Sequence, residues 1–346
     1  MINDSSNLSM RKPICVAAFG EWITDKSGNE LGDKWSLLPP VIRSSGYEFL
    51  PITSHRPGIP VLVFDATKSV IQDLRSQGVP RSDCILIRVE PRSVNPMQYQ
   101  KWMKDFFFRS FCPTNIQNTL PSDENWQSGY LKSTQQLLDN ATSSLGSRRY
   151  SYGLINQNKY SCIKGELYDL RRKTVKAFDM KGLPLTVAGK DWQRGVAWVT
   201  LRYIHAALIA LAAGSWPVVH MQRSLKKLRI VQFLGRVESE SDFLSNCEVA
   251  IVIENECTYS SEKLLNALIA GCLIVYVGPN LDLSNFPKNQ IIQAEPKPEA
   301  IVRGAELLLQ ASVDPRDYYD WIRHGNYLKS VEIESNFKNL LVRLLL

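Results

Sequence analysis

Residues 249–279 read VAIVIENECTYSSEKLLNALIAGCLIVYVGP, and this stretch decides the fold. Val249 to Ile253 is an unbroken apolar run rich in β-branched residues, the pattern of a strand buried on both faces. Ser261 to Ala270 places apolar residues at helical spacing and closes at Gly271, and Leu273 to Val277 is a second buried run that ends at Gly278-Pro279. Strand, helix and strand within ~30 residues is the span of a parallel βαβ crossover. The turn inside it, Glu254 to Lys263, concentrates the polar chemistry. With Ser260 as helix cap, Lys263 falls in the first turn, where the helix dipole disfavours a cation. A bound anion relieves that conflict, and phosphate is the natural one at a helix start on the carboxyl edge of a parallel sheet. The plainer alternative is a Lys263 that points into solvent beside an ordinary first-turn acid, Glu262.

The pattern extends in both directions. Tyr150 to Ile155 reads as a strand, Leu167, Leu170, Val175 and Phe178 as the apolar stripe of a helix, and Leu185 to Val187 as another strand. Trp198 to Val219 is largely apolar but interrupted by Arg202, His205, Gly214 and Pro217, and reads as a buried helix. Earlier in the chain, Ile14 to Phe19, Val61 to Phe64 and Ile85 to Val89 are short apolar runs, with Val70, Ile71 and Leu74 at helical spacing between the last two. Thr114 to Ser147 is rich in Ser, Asn, Gln and Asp and reads as a long loop followed by a polar helix and interdomain linker. The expected organisation is two α/β domains, residues 1–148 and 149–346, each a doubly wound, Rossmann-like sheet. At the far end Ile333, Phe337, Leu340, Leu341, Leu344 and Leu345 form an apolar helical stripe beside Lys338 and Arg343. It reads as a terminal helix packed on the domains, with a peripheral membrane contact as the alternative.

Composition narrows the function. A chain of 346 residues with 44% hydrophobic content fills two cores. The net charge of +7 is dispersed rather than blocked, which suits an anionic small ligand or a membrane surface and does not call for nucleic acid. Seven cysteines contain no CxxC pair, so reduced thiols and a cytoplasmic location are expected. His55, His205, His220 and His324 stand apart, and Asp-x-Asp is absent, so no obligatory metal or cofactor is expected. The N-terminal residues lack the apolar core of an export signal, and the sequons at Asn3, Asn7 and Asn140 bear only on a secreted chain.

The run from Val249 to Pro279 resembles the donor-binding signature of the α1,3/α1,4-fucosyltransferases, glycosyltransferase family ten. There a strand ends in Phe-Glu-Asn, Tyr-x-Thr-Glu-Lys follows, and an Ala-rich helix leads to a Pro-Val-x-x-Gly strand. Glu254, Asn255, Tyr259, Glu262 and Lys263 match; the Thr is Ser261, and the loop from Asn255 to Tyr259 is shorter than in well-known members, a change that reshapes the sugar pocket. NKYSCIKGELYDLRRKTVKAF, residues 158–178, is similar to the family segment that carries a phosphate-binding arginine, here Arg171 or, one residue on, Arg172. Read from the residues alone, either is equally a solvated charge on a polar helix face. Ile85-Leu-Ile-Arg-Val-Glu90-Pro91 resembles the Glu-Ser-Pro segment whose glutamate acts as base; the alternative is a strand-end Glu90 paired with Arg88 or Arg92.

The resemblance implies a GT-B architecture of two Rossmann-like domains facing a cleft, and an inverting transfer of fucose from GDP-fucose to a hydroxyl of a glycan acceptor. It implies Glu90 as base, Arg171 and Lys263 as cations for the departing diphosphate, and Asn255, Tyr259 and Glu262 as groups that position ribose, phosphate or sugar. Two other functions stay open: a GT-B enzyme using another nucleotide sugar, and a nucleotide-binding homologue that has lost catalysis.

Overall fold

The computed structural model describes residues 11–18, 21–25, 42–43, 45–88, 90–111, 148–218, 228–259, 261, 263–281, 283, 286 and 289–311. The chain divides into two compact units, each described by itself. The expected linker and the apolar stripe from Ile333 to Leu345 lie outside the described residues.

In the first unit the three apolar runs form β1 (Lys12–Ala18), β4 (Val61–Phe64) and β5 (Cys84–Ile87), and three short strands not read from the sequence join them: β2 (Glu21–Trp22), β3 (Tyr47–Phe49) and β6 (Arg109–Phe111). The sheet runs β2-β1-β4-β5-β6, with β3 also on β1, and every pairing but β1 with β2 is parallel. Helix α1 (Lys68–Ser76) starts at Thr67, whose side chain accepts from Val70 N, and it buries Val70, Ile71 and Leu74. With Met103 and Phe107 of α2 (Lys101–Phe106) and its C-terminal cap, these residues pack on Cys15, Ala17, Val61, Val63 and Leu86. The alternate residues Val16, Leu62, Phe64, Ile85 and Ile87 are buried as well, so both faces of this sheet are apolar and covered.

The second unit is a six-stranded sheet, parallel throughout. Its strands are β7 (Tyr150–Ile155), β8 (Leu185–Ala188), β9 (Gln232–Gly235), β10 (Cys247–Ile253), β11 (Leu273–Val277) and β12 (Ile291–Gln293), in the spatial order β12-β11-β10-β7-β8-β9. The chain builds outward from β7 in one direction, then returns to build outward from β10 in the other. Strand order therefore reverses between β7 and β10, the doubly wound dinucleotide-fold arrangement. Helices α3 (Tyr168–Lys181) and α7 (Pro298–Gln310) cover one face, where Val249, Ile251 and Ile253 meet Val175, Phe178, Ile301 and Ala305. Helices α5 (Glu240–Ser245) and α6 (Lys263–Ile269) cover the other, where Ala250 and Val252 meet Phe243, Leu264 and Leu268. Arg148, two residues before β7, ties the sheet to the end of α6: its guanidinium donates to Cys247 O, to Ala270 O at 3.2 Å and to Gly271 O at 2.7 Å. The last two are carbonyls that the end of α6 leaves without helical partners.

Helix α4 (Val196–Ala212) departs from expectation. Its all-round apolar character reads as burial, yet only Ala206 and Ala210 of its residues are buried, against Cys162 and Ile163. A pattern that is apolar on every side does not reveal which side is covered.

The described cysteines are free thiols, all buried except Cys257, and burial pushes Cys15 and Cys84 up to about 12. Gly189, just past β8, has φ +129, and a Cβ there would lie 2.0 Å from Asn156 O, the carbonyl that accepts Trp192 Nε1 at 2.6 Å. Gly189→Ala is expected to lower unfolding free energy by about 3 kcal/mol, combining a forbidden φ with a backbone clash. Urea denaturation measures it, and a variant within experimental error of the parent would show that this turn is not tightly held.

Candidate functional site

In open parallel sheets ligands sit beyond the carboxyl ends of the strands where strand order reverses. Here that place is the end of β7 and β10, and the turn singled out from sequence leaves β10 there. Two backbone bonds set its course: Glu254 N donates to Val277 O at 2.9 Å, and Leu167 N donates to Asn255 O at 3.0 Å, tying the turn to the start of α3. Arg171, one turn into α3, completes the tie. Its Nε and Nη2 both donate to Ile253 O, at 3.1 and 2.7 Å, and Nη2 also donates to Asn255 Oδ1 at 3.0 Å. The guanidinium lies 4.9 Å from the Tyr168 ring centroid and is 2% exposed. Burial pulls its pKa down to about 10, opposed by Tyr168, Glu254 and Glu166, so it stays protonated at neutral pH.

The Glu254 side chain turns inward. It is 0% exposed; Oε1 accepts from Ser261 N at 3.0 Å and Oε2 from Ser261 Oγ at 2.6 Å. Lys263 Nζ donates to the same Ser261 Oγ at 3.1 Å, so carboxylate, hydroxyl and ammonium form one chain at the start of α6. Room for Glu254 depends on Gly278: a Cβ there would meet Glu254 Cγ at 2.7 Å and Tyr276 Oη at 2.4 Å. Lys263 is thus bonded to Ser261 and does not simply point into solvent. The link to Glu254 runs through a carboxylate seven residues before Ser261, a distance at which sequence spacing does not indicate contact. Tyr259 is buried, and its N–H donates to Glu256 O at 3.3 Å, closing the turn. Ser260 and Glu262 lie outside the described residues.

Two further residues neighbour this turn: Glu166, which was not singled out from sequence, and Arg172, the alternative to Arg171. Glu166 caps α3, its Oε2 accepting from Tyr168 N and from Asp169 N at 3.3 Å. Burial pushes its pKa up to about 7 against the opposing pull of Arg172 and of those two amides. Arg172 is 2% exposed and bonded to Asn158 Oδ1, Lys159 O and Tyr203 Oη, with its guanidinium carbon 4.5 Å from the Tyr160 ring centroid. Neither arginine is the solvated charge that a polar helix face predicts. Both guanidiniums are engaged with protein groups, Arg171 on the β10 turn and Arg172 on the segment that leads into α3.

Glu90 belongs to the first unit and follows β5. Asp65, at the end of β4 with φ +54 and 2% exposure, accepts from Glu90 N through Oδ1 and Oδ2 at 3.1 and 3.0 Å and from Gln98 Nε2 at 2.8 Å. Tyr99 Oη donates to Glu90 O at 3.0 Å, so the backbone of Glu90 is held at both its N–H and its carbonyl. The guanidinium of Arg88 stacks 4.8 Å from the Tyr99 ring centroid, and its Nη2 donates to Ser110 Oγ at 3.3 Å. An acid directly after an apolar strand run, as at Asp65, was the available signal for this support. Among the described residues no cluster of His, Cys, Asp and Glu has the makings of a metal site.

Two outcomes test this geometry. Arg171→Met leaves Ile253 O and Asn255 Oδ1 without their donor and is expected to cost about 2–4 kcal/mol of stability by urea denaturation, whereas Lys263→Ala costs under about 1 kcal/mol. Equal costs would mean that Arg171 does not hold the turn. Glu166 binds its proton more tightly folded than unfolded, so its contribution is fully present below about pH 4.5 and is lost as pH rises through about 7. The stability of the parent relative to Glu166→Gln is expected to fall by roughly 3 kcal/mol between pH 4.5 and pH 8. A flat difference across that range would place Glu166 in water.

No family model and no curated protein matches the chain. Among solved structures it is similar to a UDP-forming α,α-trehalose-phosphate synthase from Burkholderia vietnamiensis, at 12% identity over 84% of this chain and 75% of that one, with TM-score 0.46. It is also similar to HepE from Anabaena, solved with UDP and glucose (11% identity, 91% and 84% covered, TM-score 0.42), and to the pneumococcal O-GlcNAc transferase GtfA, solved with UDP and GlcNAc (14% identity, 82% and 57% covered, TM-score 0.41). Each likeness is slight.

Proposed function

We propose that this protein is an inverting glycosyltransferase of the GT-B type that transfers fucose from GDP-fucose to a hydroxyl of a glycan acceptor. The observation that carries this reading is the turn from Glu254 to Lys263: it leaves the sheet where strand order reverses, and Lys263 is fixed there through Ser261 and Glu254. Its match to the family-ten signature supplies the donor. In this reading Lys263 stabilises the charge that builds on the diphosphate as the bond from the anomeric carbon to the phosphate oxygen breaks. Glu90 takes the proton of the acceptor hydroxyl as its oxygen forms the new bond to that carbon. Asn255 and Tyr259 shape the turn, Arg171 holds it from behind rather than forking the phosphates, and Glu262 is the partner expected for donor hydroxyls. The shortened loop between Asn255 and Tyr259 favours one second reading, a different nucleotide sugar on the same turn.

Calorimetry with GDP and with UDP, and transfer assays with a panel of nucleotide sugars, test the proposal. GDP is expected to bind the parent, and Lys263→Ala to weaken it by about 1.5–3 kcal/mol through loss of a charged hydrogen bond. Glu90→Gln is expected to keep that affinity while transfer falls ~10²- to 10⁴-fold. Preference for UDP moves the chain to the second reading. Unchanged GDP affinity in folded Lys263→Ala removes the site, and near-parent turnover by Glu90→Gln removes the base.

A further inference from the structure

Helix α4 packs inside out. Its buried face is made of the small residues Ala206 and Ala210, while Leu201, Ile204, Leu208 and Leu211 are 65%, 52%, 59% and 51% exposed. Those four positions recur at intervals of three and four residues and so form one continuous stripe, on the side of the helix opposite Ala206 and Ala210. Just beyond the helix, Trp216 is 90% exposed. Large apolar side chains gathered on one exposed face mark an interaction surface rather than ordinary surface scatter.

Charge identifies the partner. From Trp192 to Val237 the sequence contains no Asp or Glu and seven Lys and Arg. Of these, Arg202 lies on α4 itself, 4.9 Å from the Trp198 ring centroid, and Arg194 lies just before it, bonded to Asp191. An apolar stripe bordered by the exposed Arg202, in a stretch of sequence that is basic and free of acids, with an aromatic at its end, matches an anionic bilayer surface: the apolar side chains enter the acyl boundary and the cations meet the headgroups. A second copy of the chain is the other occupant of such a face, and self-association distinguishes it. No described helix is long and apolar enough to cross a membrane, and α4 is 17 residues long with Arg202 near its middle.

We propose that α4 and Trp216 form a membrane-docking face that lies in the interface of an anionic bilayer. This goes beyond the proposed transfer reaction and does not depend on it.

The test uses the full chain and vesicles of phosphatidylcholine with or without phosphatidylglycerol. The parent is expected to co-sediment with the anionic vesicles, and the triple variant Leu201→Gln, Ile204→Gln, Leu208→Gln to bind them at least about tenfold more weakly. These side chains are exposed, so the melting temperature is expected to stay unchanged. A readout free of that variant is quenching of parent tryptophan fluorescence by brominated acyl chains, expected to be markedly smaller in Trp216→Phe. The proposal is overturned if the parent binds neither vesicle, or if the triple variant and Trp216→Phe behave as the parent does. It is overturned equally if the parent ignores vesicles but self-associates in sedimentation velocity and the triple variant does not, which would make the face a homodimer contact.

Discussion

The Arg171 guanidinium sits in the interior of the second unit and spends two of its N–H donors on the last carbonyl of β10. Desolvating that cation is costly, and the cost is offset by Ile253 O, by Asn255 Oδ1 and by the carboxylates of Glu254 and Glu166 nearby. The candidate site depends on this fork. It joins α3 to the end of β10 at the point where the strand turns, and with Leu167 N on Asn255 O it gives the turn a single course. Without it, a strand-end carbonyl and an Asn side chain would face the interior with no donor, a state buried polar groups avoid.

A consequence is that the described side chains of the turn hold one another. Glu254 accepts from Ser261 N and Oγ, and Lys263 Nζ donates to the same hydroxyl, so these three residues are bonded in one chain at the start of α6. A site ordered in advance does not spend binding free energy on ordering itself, which is how a short α6 of seven residues holds a cation in a fixed place. In the first unit Asp65 and Tyr99 hold the backbone of Glu90 at its N–H and its carbonyl.

The fold was readable because buried parallel strands announce themselves as apolar runs. Tyr150 to Ile155 and Leu273 to Val277 have the bounds read from sequence, and Val249 to Ile253 gained only two residues at its start. Residues were harder to read where the outcome depends on the direction of a side chain. Arg171 and Arg172 are adjacent and chemically identical in sequence, yet their side chains leave α3 toward different elements, one to β10 and the other to Asn158, Lys159 and Tyr203. Asp65 and Arg148 act on partners about 25 and 100 residues away, so no local pattern reveals them. Helix α4 was misread for a related reason: periodicity reports which faces are apolar, and only tertiary structure decides which of two apolar faces is covered.

That helix is connected to the candidate site through the paired arginines. Tyr203 of α4 accepts from Arg172 Nη2 at 2.9 Å, and the next residue back, Arg171, holds Asn255. Both side chains project from one turn of α3, so α4, α3 and the end of β10 are bound by successive buried cations with no water-filled gap needed between them. Energetic coupling between distant sites requires an element with two discrete arrangements, and spatial adjacency alone does not provide one. The structure shows one arrangement: Arg172 is enclosed by Tyr160 and Tyr203, and Arg171 by Tyr168 and the β10 turn. The arginine pair is therefore best understood as a brace, which fixes the orientation of the apolar face of α4 relative to the Lys263 turn within the same unit.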